Sequence, residues 1–498
     1  MSVHRLFSAL PLWLTLALAC GCSTVHPPLR SHLHDQDPNV QSCASWFRAL
    51  DAEVRRARVR DAGAFPLAGF PYLRADRYTA SLATLAAHDP AAFEQWVGRM
   101  RALDREARSA EAANLPPQSL DALAVTQPAD LARRSEECAD LLLAADQQDS
   151  AARALLARSA RVPDHYLGWR RVVGLYPIVR FPFLSGVHGW QREARETMRR
   201  ARGGEPPAAP LRRYVPPDSA VYSRTEVGAL LGRAASDPLG IPRLSGEERE
   251  RLFATFAPVL EIETTADHDR PGALAWGEGR VLRVDASRPT VYRKLSYARY
   301  GTGTLLQLVY VAWFDERPKR HALDLLGGKL DGMIWRVTLA GDGEPVLFDS
   351  IHPCGCFHMF FPTPRAQALP APGKLSEWAF VPADLPALAD GARTELQAQT
   401  RTHYLRNVAI DSGRGGVRYA FADYDDLRML PLPGGGSRSP FAPDGLMLGT
   451  ARSERFLFWP MGVASAGAMR QWGTHATAFV GRRHFDDADL IERRFAIR

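Results

Sequence analysis

The sequence predicts an α+β protein: a helical N-terminal domain followed by a mainly antiparallel, β-rich C-terminal domain. Three observations predict it. Across residues 42–202 apolar side chains recur at spacings of three and four. Beyond about residue 257 they alternate, or run together in β-branched and aromatic stretches. Between the two lies 203–217, which holds Pro206, Pro207, Pro210, Pro216 and Pro217 and reads as a linker. The β-rich domain then covers 218–498, and 498 residues suffice to bury more than one core.

In the helical part, Asp89-Pro90 opens a helix over Ala91–Ala110, with Phe93, Trp96, Val97, Met100 and Leu103 on one face. Asp89 is the expected N-cap, and Pro90 fits just inside it. Asn114, Pro116 and Pro117 mark a break. Pro128 starts the next helix, which runs through Leu143, and Ser150 opens another. Cys43 and Cys138 fall on separate helices of this region, and a disulfide between them is the expected pairing. The stretch Val172–Val187 is strongly apolar, but Arg180, Pro177 and Pro182 argue against a membrane span. Arginines flank it: Arg170 and Arg171 before, Arg192, Arg195, Arg199 and Arg200 after. It reads either as a membrane-surface contact or as a buried connection between helices.

Short helices are expected near Glu226–Ala234 and Gly246–Phe256, and strands thereafter. Val259–Thr264 alternates, and Leu305–Phe314 is β-branched and aromatic. Met333–Leu339 and Pro345–Ile351 form a hairpin that turns at Asp342-Gly343. Later strands are expected at Val417–Phe421 and Arg455–Trp459.

Composition excludes some function classes. The net charge is +7, from 62 basic and 55 acidic residues. The basic residues are almost all arginine, no block of five occurs, and acids are interspersed, so nucleic acid is not an expected partner. Gly327-Gly328-Lys329 lacks the hydroxyl residue of a phosphate loop, and neither His-Glu-x-x-His nor Gly-x-Ser-x-Gly occurs.

The N-terminus carries an address. His4 and Arg5 precede the uncharged apolar run Leu6–Ala19, and Ala17-Leu18-Ala19-Cys20-Gly21-Cys22-Ser23 follows. This resembles the lipobox of bacterial lipoproteins, in which small residues precede a cysteine that is lipidated and becomes the mature N-terminus. The resemblance implies that 1–22 is a signal peptide with its anchor cysteine. Cys22 is the preferred anchor, because Cys43, Cys138, Cys354 and Cys356 then remain as an even set; Cys20 is the alternative and leaves one over. Ser23 rather than Asp after the anchor implies a lipoprotein of the outer membrane facing the periplasm. Residues 23–41, with His26, His32 and His34, read as a flexible tether.

One cluster suggests chemistry. Asp349-Ser-Ile-His352-Pro-Cys354-Gly-Cys356-Phe-His358 sets four metal-ligating types at every second position. On a straight strand His352 and His358 would lie roughly 20 Å apart, so one ion needs a bend, which Pro353 and Gly355 allow. Three readings stand: a local Cys354–Cys356 disulfide, a zinc or copper site on His352, Cys354, Cys356 and His358, or two structural thiols. A functional site would also need a partner from His321, His403, His475 or His484. A second constellation, Arg470, His475, Arg483, His484 and Asp486, has residue types suited to an anion or to acid–base work. Glu261 with Glu263, and Asp423 with Asp425 and Asp426, are weaker carboxylate pairs. The expected function is an envelope protein that binds a ligand or a protein partner; the alternative is a metal-dependent or thiol-based enzyme built on the 352–358 cluster.

Overall fold

The computed structural model describes residues 27–373 and 375–498. The signal segment and both candidate anchor cysteines, Cys20 and Cys22, lie outside the described residues. The chain is α+β, with helices concentrated in the N-terminal half and antiparallel-rich sheets in the C-terminal half.

The helix opened by Asp89-Pro90 runs over Pro90–Asn114, and the Asp89 carboxylate accepts from the N–H groups of Ala91 and Ala92. Its Trp96, Val97 and Met100 face pack into one apolar cluster with helices Pro38–Ala57 and Pro128–Gln148. A disulfide joins Cys43 to Cys138 across the latter two. The sequence reading places no strand here, yet a hairpin of Phe65–Leu67 and Phe70–Ala75 threads the helices. Its second strand is buried throughout and so lacks alternation. Arg74 on that strand is neutralised by Asp104 at 3.0 Å and Glu111 at 2.8 Å.

The expected tether is also shorter than 23–41. Pro27–His32 is helical and Pro38 starts the next helix. His32 is buried, its Nε2 2.9 Å from Asp146, and that pairing draws the segment onto the body.

Two sheets form the C-terminal half. A six-stranded sheet runs in the order Met359–Pro362, Pro345–Ile351, Gly328–Leu339, Gly303–Arg317, Thr290–Tyr300, Ala420–Asp423, antiparallel except for the last pair. The hairpin turning at Asp342-Gly343 forms its second and third strands. A mixed five-stranded sheet has the order Leu405–Ile410, Thr394–Ala398, Val259–Glu263, Leu211–Val215, Val417–Arg418. Leu308, Tyr310, Ala312 and Phe314 of the longest strand face Leu260, Ile262 and Leu396 of the second sheet. The intervening Val309, Val311 and Trp313 face the C-terminal segment, with Met469, Trp472 and Phe485. Burial of both faces explains why Leu305–Phe314 reads as a continuous apolar run.

Three expectations need correction. Residues 203–217 are not a free linker, because Leu211–Val215 is a strand of the five-stranded sheet. The helical domain does not extend to 202 as a unit, because Met198 of helix Tyr176–Arg202 packs in the core between the sheets. Arg455–Trp459 is not a strand. Glu454–Leu457 is a helical turn followed by a tight turn over Trp459–Met461, with adjacent Phe456 and Leu457 both exposed, which alternation forbids.

Candidate functional site

The Asp349–His358 segment connects two neighbouring strands of the large sheet. It is no straight strand. Pairing ends at Ile351, the Gly355 N–H donates to His352 O at 2.8 Å, and the His352 N–H donates to Cys356 O at 3.0 Å, closing a tight loop. Gly355 has φ +89°, and a Cβ there would meet Ala476 O at 2.4 Å, so both conformation and space demand glycine.

Cys354 and Cys356 are free and buried within the apolar cluster that includes Trp313, Ile334 and Met469. The Cys356 thiol donates to Cys354. That hydrogen bond, together with burial, holds Cys356 well above the usual thiol range, and the same bond lowers Cys354.

The two histidines of the cluster are committed to different carboxylates. His352 Nδ1 lies 3.2 Å from Asp331. The other Asp331 oxygen, Oδ2, lies 2.9 Å from His403 Nδ1, and the His403 ring stacks on Phe314 at 3.9 Å. Burial opposes charge on His403, but contact with both Asp269 and Asp331 raises its pKa. Of the four partners considered in the sequence, His403 thus meets the cluster, through Asp331.

His358 Nε2 lies 2.9 Å from Asp349, which also accepts from Arg336 Nε at 2.9 Å and Nη2 at 2.5 Å. Burial lowers His358 to about 3, so it is neutral, and its Nδ1 has no hydrogen-bond partner. Among the described residues no group of three or more His, Cys, Asp or Glu side chains is placed to hold a metal ion. The proposed ligand set His352, Cys354, Cys356 and His358 is therefore divided: each imidazole faces a carboxylate, and the thiols face each other.

The loop does form one wall of a cavity of about 600 Å³. Gly355, Cys356, Phe357 and His358 line that wall. Helix Tyr176–Arg202 supplies Pro182, Phe183, Gly186, Val187 and Trp190, one face at helical spacing. Leu457, Phe458 and Ala476–Phe479 close the far side, with Phe458 stacked on Phe479 at 4.1 Å. The charged groups in the wall are already engaged. The buried Glu377 carboxylate, pushed up by burial, accepts from the N–H groups of Phe479 at 2.7 Å and Val480 at 2.9 Å. Arg483 donates to Thr477 and to Trp378 O. The cavity therefore offers apolar and aromatic contact, and the His358 side chain is fully buried behind its wall.

The Arg470–Asp486 constellation does not converge on one point. Arg470 donates to the carbonyl oxygens of Cys354 and Ala464 and so clamps the loop. His475 is buried with both ring nitrogens unpartnered, and burial lowers it to about 3. His484 lies 3.3 Å from Asp487, and Asp486 lies 3.3 Å from Arg77 of the N-terminal half. Arg483 alone of the five reaches the cavity. The carboxylate pairs are also occupied: Glu261 by Arg213 and Arg414, Glu263 by Arg406, Asp423 by Arg249 and Asp425 by Lys294.

Val172–Val187 is not a buried connection. Helix Gly168–Val173 and the start of the next helix leave Trp169, Val172, Val173, Leu175, Ile178 and Phe181 exposed beside the cavity. Among the described residues no helix is long and apolar enough to cross a membrane.

Sequence reasoning missed Asp331 and Glu377. Asp331, an acid between Leu330 and the apolar run from Met333, carried a readable signal. Glu377 did not, because only folding brings the backbone of 479–480 onto it. Comparison with protein-family models, with curated proteins and with solved structures finds no match.

Proposed function

We propose that this protein is a lipid-anchored binding protein of the bacterial cell envelope whose cavity takes a ligand with an apolar chain. The cavity carries the reading. Its volume lies within the range of small-ligand sites, aromatic rings line it, and Glu377 and Arg483 are satisfied internally, so no bare charge repels an apolar guest. The enzymatic alternative has less support: Cys356 is held as a protonated thiol, and the imidazoles of His352 and His358 are turned to carboxylates. Anchoring through Cys22, or Cys20, and a periplasmic outer-membrane address follow from the lipobox resemblance.

Gly186 provides the test. It lines the cavity, and a Cβ built there meets nothing within 4 Å. Gly186→Phe should fill the space without disturbing the backbone. A small apolar fluorophore, 1-N-phenylnaphthylamine, should bind the full chain saturably and be displaced by a long-chain alcohol, and Gly186→Phe should lose this by tenfold or more, on the order of one buried aliphatic contact of 1.5–3 kcal/mol. Equal binding by wild type and variant refutes the reading.

A further inference from the structure

We infer that the exposed ridge beside the cavity is a docking face for an anionic phospholipid surface. The ridge is made by two segments held together. Arg171 donates to Met461 O at 2.8 Å and to Gly481 O at 2.6 Å, fixing helix Gly168–Val173 against the turn Trp459–Met461. Gly174 then brings the bend before the next helix so close that a Cβ would lie 2.7 Å from Pro460. Trp169 and Trp459 meet edge to face at 5.5 Å. These ties orient side chains that no described residue covers: Val172 is 76% exposed, Ile178 66% and Phe456 70%, with Trp169, Val173 and Leu457 among them. Scattered exposed apolar residues are ordinary, but a contiguous ridge of this size marks an interaction surface.

Charge identifies the partner. From Tyr166 to Arg192 and from Arg455 to Arg483 there is no Asp or Glu at all. Of the acids that bound these stretches, Glu454 is buried, and burial raises it to about 7, while Asp164 is paired with Arg482. Arginines sit beside the ridge aromatics: Arg170 over Trp169, Arg180 over Phe181 and Arg455 over Phe456, at 5.5, 5.2 and 4.8 Å. Among the described residues none of these three faces a carboxylate, whereas some surface arginines elsewhere do, as in Arg199–Glu196 and Arg288–Asp285. Apolar side chains flanked by unpaired guanidinium groups and no acid match the interface of an anionic bilayer, with rings among the acyl chains and cations at the phosphates. A protein partner would require matching acids and is not favoured by the bare arginines. Pro182, Phe183 and Leu457 line the cavity and adjoin the ridge, so docking would set the cavity mouth at the lipid surface. The docking face stands whatever the cavity binds.

The test uses the full chain with its anchor, on vesicles containing brominated phospholipid, and reads the fluorescence quenching that Trp169→Phe removes. The anchor alone holds the body near the bilayer, so Trp169 quenching reports on the ridge itself. Quenching is expected on phosphatidylethanolamine–phosphatidylglycerol vesicles and is expected to weaken on phosphatidylcholine and at high salt. Val172→Glu with Ile178→Glu, both at exposed positions, should lower the docked fraction roughly tenfold per substitution, on the scale of one aliphatic transfer, while fluorophore binding in the cavity is retained. Unquenched Trp169 on anionic vesicles overturns the inference, as does equal quenching on phosphatidylcholine. Dimerisation abolished by the same variant, with Trp169 unquenched, would assign the ridge to a second copy of the chain and also overturn it.

Discussion

Glu454 shows how a single residue ties stability to pH. It is buried beside Gly467, where a Cβ would collide with its carboxylate at 1.9 Å. Desolvation raises its pKa from 4.5 to about 7, against the pull of Arg452 and Arg317. The unfolded chain releases this proton near 4.5 and the folded chain near 7, so between those values the folded state holds more protons. Stability contributed by the protonated group is therefore lost as pH rises through that window, at up to about 1.36 kcal/mol per pH unit. Glu454→Gln should remove that slope, seen as a difference between wild type and variant in urea denaturation at several pH values; an unchanged slope would show that the carboxyl is not desolvated. At this scale Asp349, His352, Cys354, Cys356 and His358 were legible as an unusual pattern, because alternation of polar types within apolar sequence is visible without a structure. His403 was legible as one of four candidate partners, but Asp331 and Arg470 were not legible as partners, since their pairings depend on how distant segments fold together.

Among the elements, the helices were the most readable. Pro90–Asn114 and Gly246–Phe256 carry side-chain caps in local sequence, and Pro128–Gln148 carries its period and an N-terminal proline. The disulfide links Pro128–Gln148 to helix Pro38–Ala57 across a separation of 95 residues. In the chain-entropy account, closing so long a loop contributes on the order of 4 kcal/mol. Cys43→Ala with Cys138→Ala should lower the unfolding free energy by that order, measured by far-UV dichroism in urea, and a loss below about 1 kcal/mol would show that the unfolded state is already constrained. The hairpin Phe65–Ala75 escaped reading because its buried strand offers no alternation. The turn at Glu454–Leu457 was read as a strand because four consecutive aromatic and aliphatic side chains look like one. Exposure of Phe456 and Leu457 side by side is a tertiary fact, decided by which neighbours cover them.

For the whole molecule, the Pro-rich segment 203–217 is the decisive case. A free linker would be cut by a protease and would release two halves. Instead Leu211–Val215 pairs with Val259–Glu263, and Met198 just before it sits in the core between the sheets. Cross-contacts such as Tyr78–Thr304 at 2.6 Å and Arg77–Asp486 at 3.3 Å join the N-terminal helices to the C-terminal body. Limited proteolysis should therefore leave Leu211–Val215 uncut under native conditions, and separation of a stable 27–202 fragment would contradict that coupling.

The sequence by itself determined the fold class, the N-cap of Pro90–Asn114, the span of Gly246–Phe256 and the hairpin at Asp342-Gly343, because these rest on local periodicity, capping and turn chemistry; the Cys43–Cys138 pairing it favoured is the one the fold makes. Only the tertiary structure decided that Cys354 and Cys356 stay as thiols, that His352 and His358 serve different carboxylates, and that the loop walls an apolar cavity. It also decided that Val172, Val173, Leu175, Ile178 and Phe181 face outward while Leu184 packs inward. Those outcomes depend on which distant side chains fill the space around a residue, and that space exists only once the sheets and the long helix have packed.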